Sequence, residues 1–255
     1  MILKRYLIYM ESLFVDILLT VLAIFVGSVV LVTAGFGIAI GSSPIMLLTV
    51  DPQSTVIVIN TVSLLIFVLM IFQNKDHINY REMATPIIFG LIGVPIGIYI
   101  LANSNAAMLR ISMALLIIFL GIALALNLSV PAIRHKYTLW GAAFLVSVMI
   151  TSTGIGGPLM AVAVIARGWE RDSIRGSLPF YYMFIETAAV IGYVVTDLFD
   201  SERLILTGIS IFPALLGFWL ASILVNKINQ TYYRNLILGI VICAGTVILV
   251  KEIFV

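Results

Sequence analysis

The sequence predicts an all-α polytopic membrane protein made of two repeated halves, expected to be inverted, each with a Gly/Pro-broken re-entrant or discontinuous segment plus three transmembrane helices. Three observations carry that reading. Of 255 residues, 62% are hydrophobic and 10% charged, with a mean hydropathy of +1.19, outside the range of water-soluble domains. Apolar runs of about 20 residues, the length that crosses a bilayer core, recur near 14–33, 54–73, 84–102, 108–127, 138–153, 177–197, 204–225 and 232–250. Two Gly- and Pro-containing interruptions fall at corresponding places in the two halves. Because backbone polar groups inside lipid must be satisfied within the segment, such long runs are helices rather than irregular chain or barrel strands.

Taken in order, the first run follows Lys4 and Arg5 and has no small-residue cleavage site behind a short apolar region, so it is expected to stay in the chain. It ends at Gly35-Phe36-Gly37-Ile38-Ala39-Ile40-Gly41-Ser42-Ser43-Pro44. Ile45 to Val50 then reads as a half-helix too short to span, with Pro44 at its first position. Three spanning runs follow. The first contains Asn60, Thr61 and Ser63, and the second contains Gly90, Gly93 and Gly97 at the spacing of a closely packed helix face. The fifth run leads into Ser152-Thr153-Gly154-Ile155-Gly156-Gly157-Pro158 and a second short stretch, Leu159 to Ala166. A polar loop from Arg167 to Gly176 precedes the sixth run, which carries Glu186 near its middle, and two further runs complete the set.

The chain is expected to be a single transmembrane domain over 1–255, with repeat 1 at about 12–128 and repeat 2 at about 134–255. At one offset of 124 residues Gly93 meets Gly217, Arg110 meets Arg234 and Gly121 meets Gly245. Earlier in the halves Gly41 to Pro44 meets Ile155 to Pro158 at an offset of 114. If all eight runs cross, the basic residues divide 8 to 6. If the broken segments are re-entrant, Lys4, Arg5, Arg110, Arg203 and Lys251 share one side. The other nine, Lys75, Arg81, Arg134, Lys136, Arg167, Arg171, Arg175, Lys227 and Arg234, then face the cytoplasm. The second arrangement is more asymmetric and makes the halves inverted repeats, although the first run is long enough to span alone.

Paired interruptions of this kind mark the binding site of a transporter. A helix N-terminus in a low-dielectric setting presents free N–H groups and about half a positive charge, so two facing N-termini suit an anion without an Arg in the bilayer. The expected substrate contacts are Gly35, Gly37, Gly41, Ser42, Ser43, Pro44, Asn60 and Thr61 from the first half, and Ser152, Thr153, Gly154, Gly156, Gly157 and Pro158 from the second. Glycines admit a ligand to the backbone, and the hydroxyls are read as further donors. Glu186 is the coupling or gating candidate, its plain alternative being a carboxylic acid kept neutral or hydrogen-bonded to a neighbour such as Tyr182 or Tyr193. Arg167 and Arg175 flank the second half-helix, either drawing an anion to the entrance or setting topology. The competing reading of the glycines is tight helix packing, which makes the chain a membrane scaffold or lipid-handling protein.

Other classes are excluded. No basic, aromatic-interleaved surface supports nucleic-acid binding at a net charge of +2. The lone Cys243 forms no intrachain disulfide, and His77 and His135 sit in polar loops, so neither a metal centre nor a catalytic Ser-His-Asp set is expected. Gly35, Gly37 and Gly41 lack the preceding strand of a dinucleotide fingerprint. No cofactor is expected. The partners expected are a small anion and the lipid bilayer, and a homodimer is left open.

Gly35-Phe36-Gly37 followed by Pro44, Gly154-x-Gly-Gly-Pro158, Arg175-Gly176-Ser177, Pro213 with Gly217, and Arg234 together resemble the TauE/SafE sulfite exporter family over nearly the whole chain. The resemblance implies secondary transport of sulfite, sulfonates or related organosulfur anions, with the broken segments forming the site. The first break departs from the family pattern, since Ile38-Ala39-Ile40 stands where consecutive glycines are usual. The membrane expected is the cytoplasmic (inner) membrane of a prokaryote.

Overall fold

The computed structural model describes residues 2–125 and 136–224 together with 239, 245, 246, 248–250 and 252, giving the backbone alone at 2–14, 123–125, 136 and 224. The helices are α1 (Ile2–Ala34), α2 (Ile38–Met46), α3 (Pro52–Gln73), α4 (Tyr80–Asn103), α5 (Ala106–Ala125), α6 (Lys136–Thr153), α7 (Gly157–Ala166), α8 (Arg171–Val195) and α9 (Ser201–Leu224). No strand occurs among the described residues. Among the described residues, five helices are long and apolar enough to cross a membrane: α1 from Val15, α3, α4, α8, and α9 as far as Ile223. The expected run at 232–250, with Cys243 and Arg234, lies mostly outside the described residues, as do Arg134, Lys227 and the side chains of Lys4 and Arg5.

The bundle is apolar outside as well as inside. Along α4, Ile88, Ile92, Ile96 and Tyr99 are exposed, whereas Gly90, Gly93, Gly97 and Leu101 point inward. Asn60, Ser63, Ser147, Thr151 and Glu186 are buried. Polar groups gathered in the centre behind an apolar surface suit a lipid solvent.

Interhelical contacts fix the direction of each helix. Arg203 Nε donates to Ser54 Oγ at 2.9 Å, and Gln53 Nε2 donates to the Leu101 carbonyl at 2.8 Å, so the starts of α3 and α9 and the end of α4 share one end of the bundle. A Cβ on Gly176 would lie 2.9 Å from the Asn74 carbonyl, and Arg167 pairs with Glu82 at 3.3 Å. The end of α3, the starts of α4 and α8, and the end of α7 therefore share the opposite end. Phe89 stacks on Trp140, and Gly97 packs on Thr151, so α6 runs parallel to α4. Thus α6 enters from the Arg167 end and α7 returns to it. By contrast α1 runs from the Arg203 end toward Arg175, and α2 folds back beside it, with Gly41 against Gly27. The two helix-turn-helix hairpins open toward opposite ends.

The halves are cross-packed. A Cβ on Gly93 would meet the Phe144 carbonyl at 2.7 Å and Ser147 Cβ at 3.2 Å, and one on Gly217 would meet the Phe25 carbonyl at 2.7 Å and Ser28 Cβ at 2.9 Å. So α4 packs on α6 and α9 on α1 through matched glycines, whose absent side chains let the backbones approach. Gly93→Ala and Gly217→Ala are each expected to destabilise by about 1–3 kcal/mol through overpacking, read as a lower Tm in detergent. Gly141→Ala and Gly208→Ala, where an added Cβ meets no described atom within 4 Å, should be neutral or stabilising.

Two expectations about the first break are corrected. The half-helix is Ile38–Met46, so Pro44 lies inside it rather than at its first position, and Ile45 to Val50 does not form one. The chain turns earlier because Gly35 and Gly37 both adopt left-handed backbone, with φ of 85° and 90°, and the break is only three residues long. The matching turn in the second half is Gly154-Ile155-Gly156, where Gly154 has φ of 73°. Gly35 therefore answers to Gly154, and Gly37 to Gly156, at an offset of 119 rather than 114. Helix α7 begins at Gly157, so Pro158 stands at its second position, one residue later than expected but still in the first turn. Helix α8 starts at Arg171, before the apolar run, because its first turns are polar and lie at the bundle end.

Candidate functional site

The tips of the two hairpins meet inside the bundle. A Cβ on Gly157 would lie 3.1 Å from the Gly37 nitrogen and 3.2 Å from Phe36 Cβ, and one on Gly154 would lie 3.5 Å from Ala39 Cβ. At this crossing is a narrow crevice. Gly37 to Ile40 line it from the first hairpin, and Gly154 to Pro158 line it from the second. Ile150, Phe67, Tyr182 and Glu186 close it. No Lys or Arg is among these lining residues.

Both half-helices begin here, and neither is capped. Gly37 and Gly156 are their N-cap residues, and neither start receives a side-chain capping hydrogen bond. The contrast is α3, where Asp51 accepts from the Ser54 N–H at 3.0 Å ahead of Pro52. Pro158 has no N–H, and the Leu159 and Ile40 N–H groups donate to the Gly156 and Gly37 carbonyls. The first-turn donors left for a ligand are therefore the N–H groups of Gly157 in α7 and of Ile38 and Ala39 in α2, where the partial positive charges of the two helix starts add. This arrangement fits an anion, in the way helix N-termini hold phosphate and sulfate.

Of the residues expected to touch a ligand, Gly37, Gly154, Gly156, Gly157 and Pro158 line the crevice, and Glu186 lines it beside them. The others are placed around it. Gly41 sits on Gly27 with 2.9 Å between its added Cβ and the Gly27 Cα, a packing position. Gly35 lies under the Arg175 side chain. The hydroxyls are engaged differently from expectation. Ser42 Oγ donates to the Ile38 carbonyl, Ser43 Oγ to Ala39, Ser152 Oγ to Val148, Thr153 Oγ1 to Met149 and Thr61 Oγ1 to Ile57, all at 2.5–2.8 Å. Short hydroxyl side chains inside a helix reach the carbonyl one turn back more readily than they reach outward. Thr153 Oγ1 also accepts from the Ile155 N–H at 3.3 Å, holding the second turn in shape.

Glu186 is buried, and its carboxyl accepts from Ser63 Oγ, a different neighbour from the Tyr182 or Tyr193 named in the plain alternative. Those tyrosines brace the second hairpin instead. Tyr182 Oη donates to the Gly157 carbonyl at 2.9 Å, and Tyr193 Oη donates to the Thr151 carbonyl at 2.6 Å. Asn60 Nδ2 donates to the Ile150 carbonyl and to Tyr193 Oη, both at 3.0 Å. Sequence reasoning gave Tyr182 and Tyr193 no hairpin role and missed Phe67, whose ring sits 5.5 Å from that of Tyr182. The signal available was that Tyr182 and Tyr193 share a face of α8 with Glu186. Arg175 Nη2 donates to the Val32 carbonyl at 3.4 Å, at the end of α1 rather than beside α7.

An apolar-surfaced helical bundle with two oppositely inserted broken hairpins, whose bare N-termini converge at its centre, has the architecture of a membrane transporter. The profile of the sulfite exporter TauE/SafE family matches residues 19–248, and the chain belongs to that family, a family of multi-pass membrane transporters. No curated protein and no solved structure gives a significant match.

Proposed function

We propose that the chain is a secondary transporter that binds a small anion between the N-termini of α2 and α7 and exports it by alternating access, the substrate being sulfite or an organosulfonate. The observation that carries this reading is the meeting of two uncapped half-helix starts in a crevice with no basic side chain. Helix dipoles supply the attraction, so no fixed charge has to be carried through the bilayer. The substrate class comes from the family. The oppositely opening hairpins and the matched Gly93 and Gly217 contacts support reading the halves as inverted repeats within one transmembrane domain.

The described basic residues support an orientation. Lys75, Arg81, Arg167, Arg171 and Arg175 lie toward the Arg167 end, and Arg110 and Arg203 toward the other. The Arg167 end therefore faces the cytoplasm, in the inner membrane of a prokaryote. An inside-negative potential of about 100 mV favours outward movement of a monoanion by about 2.3 kcal/mol, roughly fiftyfold, so export needs no coupling ion.

The test is thermal stabilisation of the purified protein by sulfite, thiosulfate, sulfate, isethionate and taurine at fixed ionic strength. Ligand at one hundred times its Kd stabilises by about 2.7 kcal/mol. A shift with a sulfur oxyanion or sulfonate is expected. No shift with any anion would remove this reading and favour a scaffold. Strictly inward, proton-dependent accumulation in proteoliposomes would overturn the direction.

A further inference from the structure

The two breaks differ in what meets the helix that leads into them. Each incoming helix, α1 and α6, ends in carbonyls without intrahelical donors and a fractional negative charge. At the end of α1 the visitor is Arg175 from α8. Its guanidinium donates to the Val32 carbonyl, and its stem lies over Gly35. At the end of α6 the visitor comes from α3 and is Asn60, which brings no charge.

Asn60 is oriented by its partners. Its Nδ2 serves the Ile150 carbonyl, an acceptor, and Tyr193 Oη, whose proton is already given to the Thr151 carbonyl. Turning the amide over would set oxygen against oxygen, so the assignment of the two ends is fixed by the network. Among the described residues Asn60 Oδ1 is therefore left as a fully buried acceptor without a donor, 3.8 Å from where a Cβ on Gly154 would stand. A buried acceptor in that state is destabilising unless something answers it. Here it stands beside the electronegative end of a helix.

We propose that the carboxyl end of α6 binds a monovalent, sodium-sized cation through Asn60 Oδ1 and neighbouring chain-end carbonyls, and that this cation raises the affinity of the anion held by α7. The acceptors are neutral oxygens, which suit an alkali cation better than a divalent one. Gly154, Ile155 and Gly156 are all that separate the end of α6 from the start of α7. Cation and anion would thus lie on two faces of one short turn and attract each other. Discontinuous helices in other transporters divide the labour in the same way, with carbonyl ends for cations and N–H ends for anions. At the first break Arg175 already supplies the positive charge. The second half of the inference, the coupling, rests on the anion reading above.

The test uses the purified full chain, comparing sodium chloride with choline chloride at equal ionic strength and chloride. Sodium alone should raise Tm saturably, and it should lower the Kd for isethionate about fivefold or more, the usual range of coupling between sites. Asn60→Ala should lose both effects. Asn60→Asp keeps the oxygen and adds charge but replaces Nδ2 with an oxygen facing the Ile150 carbonyl, so its fold is checked first in choline. Folded, its sodium midpoint should fall, and it carries the test if the alanine variant does not fold. Equal Tm values in sodium and choline, or an Asn60→Asp midpoint that does not move, would overturn the proposal. Anion binding that is intact but indifferent to sodium removes the coupling and leaves the proposed function standing. Loss of anion binding in both salts removes the proposed function, while the sodium-only titration still judges the cation site.

Discussion

Gly157→Val should reduce anion affinity and flux about 10²- to 10³-fold while the protein stays assembled. The first atom of any side chain at 157 would lie 3.1 Å from the Gly37 nitrogen and 3.2 Å from Phe36 Cβ, and 3.6 Å from Tyr182 Oη. Two of these neighbours belong to the tip of the other hairpin. Relief of the contact comes most easily by parting the tips, which takes the first turn of α2 away from that of α7. Loss of one preorganised donor at a developing oxyanion costs about 2.7–4 kcal/mol in enzymes, and parting the tips takes the donors of one helix start out of reach of those of the other. The rest of the bundle is held elsewhere, through the Gly93, Gly97 and Gly217 contacts and the Arg203 hydrogen bonds. The check is size-exclusion behaviour and Tm beside isethionate titration, with Gly141→Ala as a neutral reference. A variant that aggregates or unfolds would support the scaffold reading, in which Gly157 is only a packing position.

Most of the helical plan was legible because hydropathy and length decide what a membrane segment can be. The runs at 54–73, 84–102, 108–127 and 204–225 lie within two to four residues of α3, α4, α5 and α9. Where the sequence misled, the cause is local. Pro44 looked like a helix start because proline is common there, but the left-handed pair Gly35 and Gly37 had already turned the chain, and a helix of nine residues accommodates a proline near its end. The second break, with Gly157 and Pro158 adjacent, left no such ambiguity. Glycines carried the site in both halves because they are the residues whose backbone a ligand or a second tip can reach. Hydroxyls were the weaker guide, since Ser42, Ser43, Ser152 and Thr153 turn to carbonyls of their own helices, a choice invisible in one dimension. Likewise, nothing local links Ser63 with Glu186, or Asn60 with Tyr193. Those pairs exist only because α3 and α8 run antiparallel through the centre.

Glu186→Gln should flatten the pH dependence of anion binding. The carboxyl lines the same crevice as the two half-helix starts and, among the described side chains, is held by Ser63 alone. Ionised, it places a full negative charge where the dipoles supply only fractional positive ones, so it opposes the anion. Neutral, it does not. If anion binding requires the neutral form, affinity begins to fall as the carboxyl ionises and reaches a slope of tenfold for each pH unit, or about 1.4 kcal/mol per unit, once most of it is ionised. Isethionate is the probe of choice, since a sulfonate keeps its single charge over that range and the slope belongs to the protein. Glutamine preserves shape and one hydrogen-bonding oxygen and should bind at every pH as the neutral wild type does. An unchanged slope in the variant would remove Glu186 from the site's electrostatics. The same variant bears on direction. If the proton stays with the protein, isethionate flux in liposomes carries current in both forms, and the membrane potential drives export. If the proton travels with the anion, wild-type flux is electroneutral and only the glutamine variant carries current, so the potential gives the wild type no outward drive.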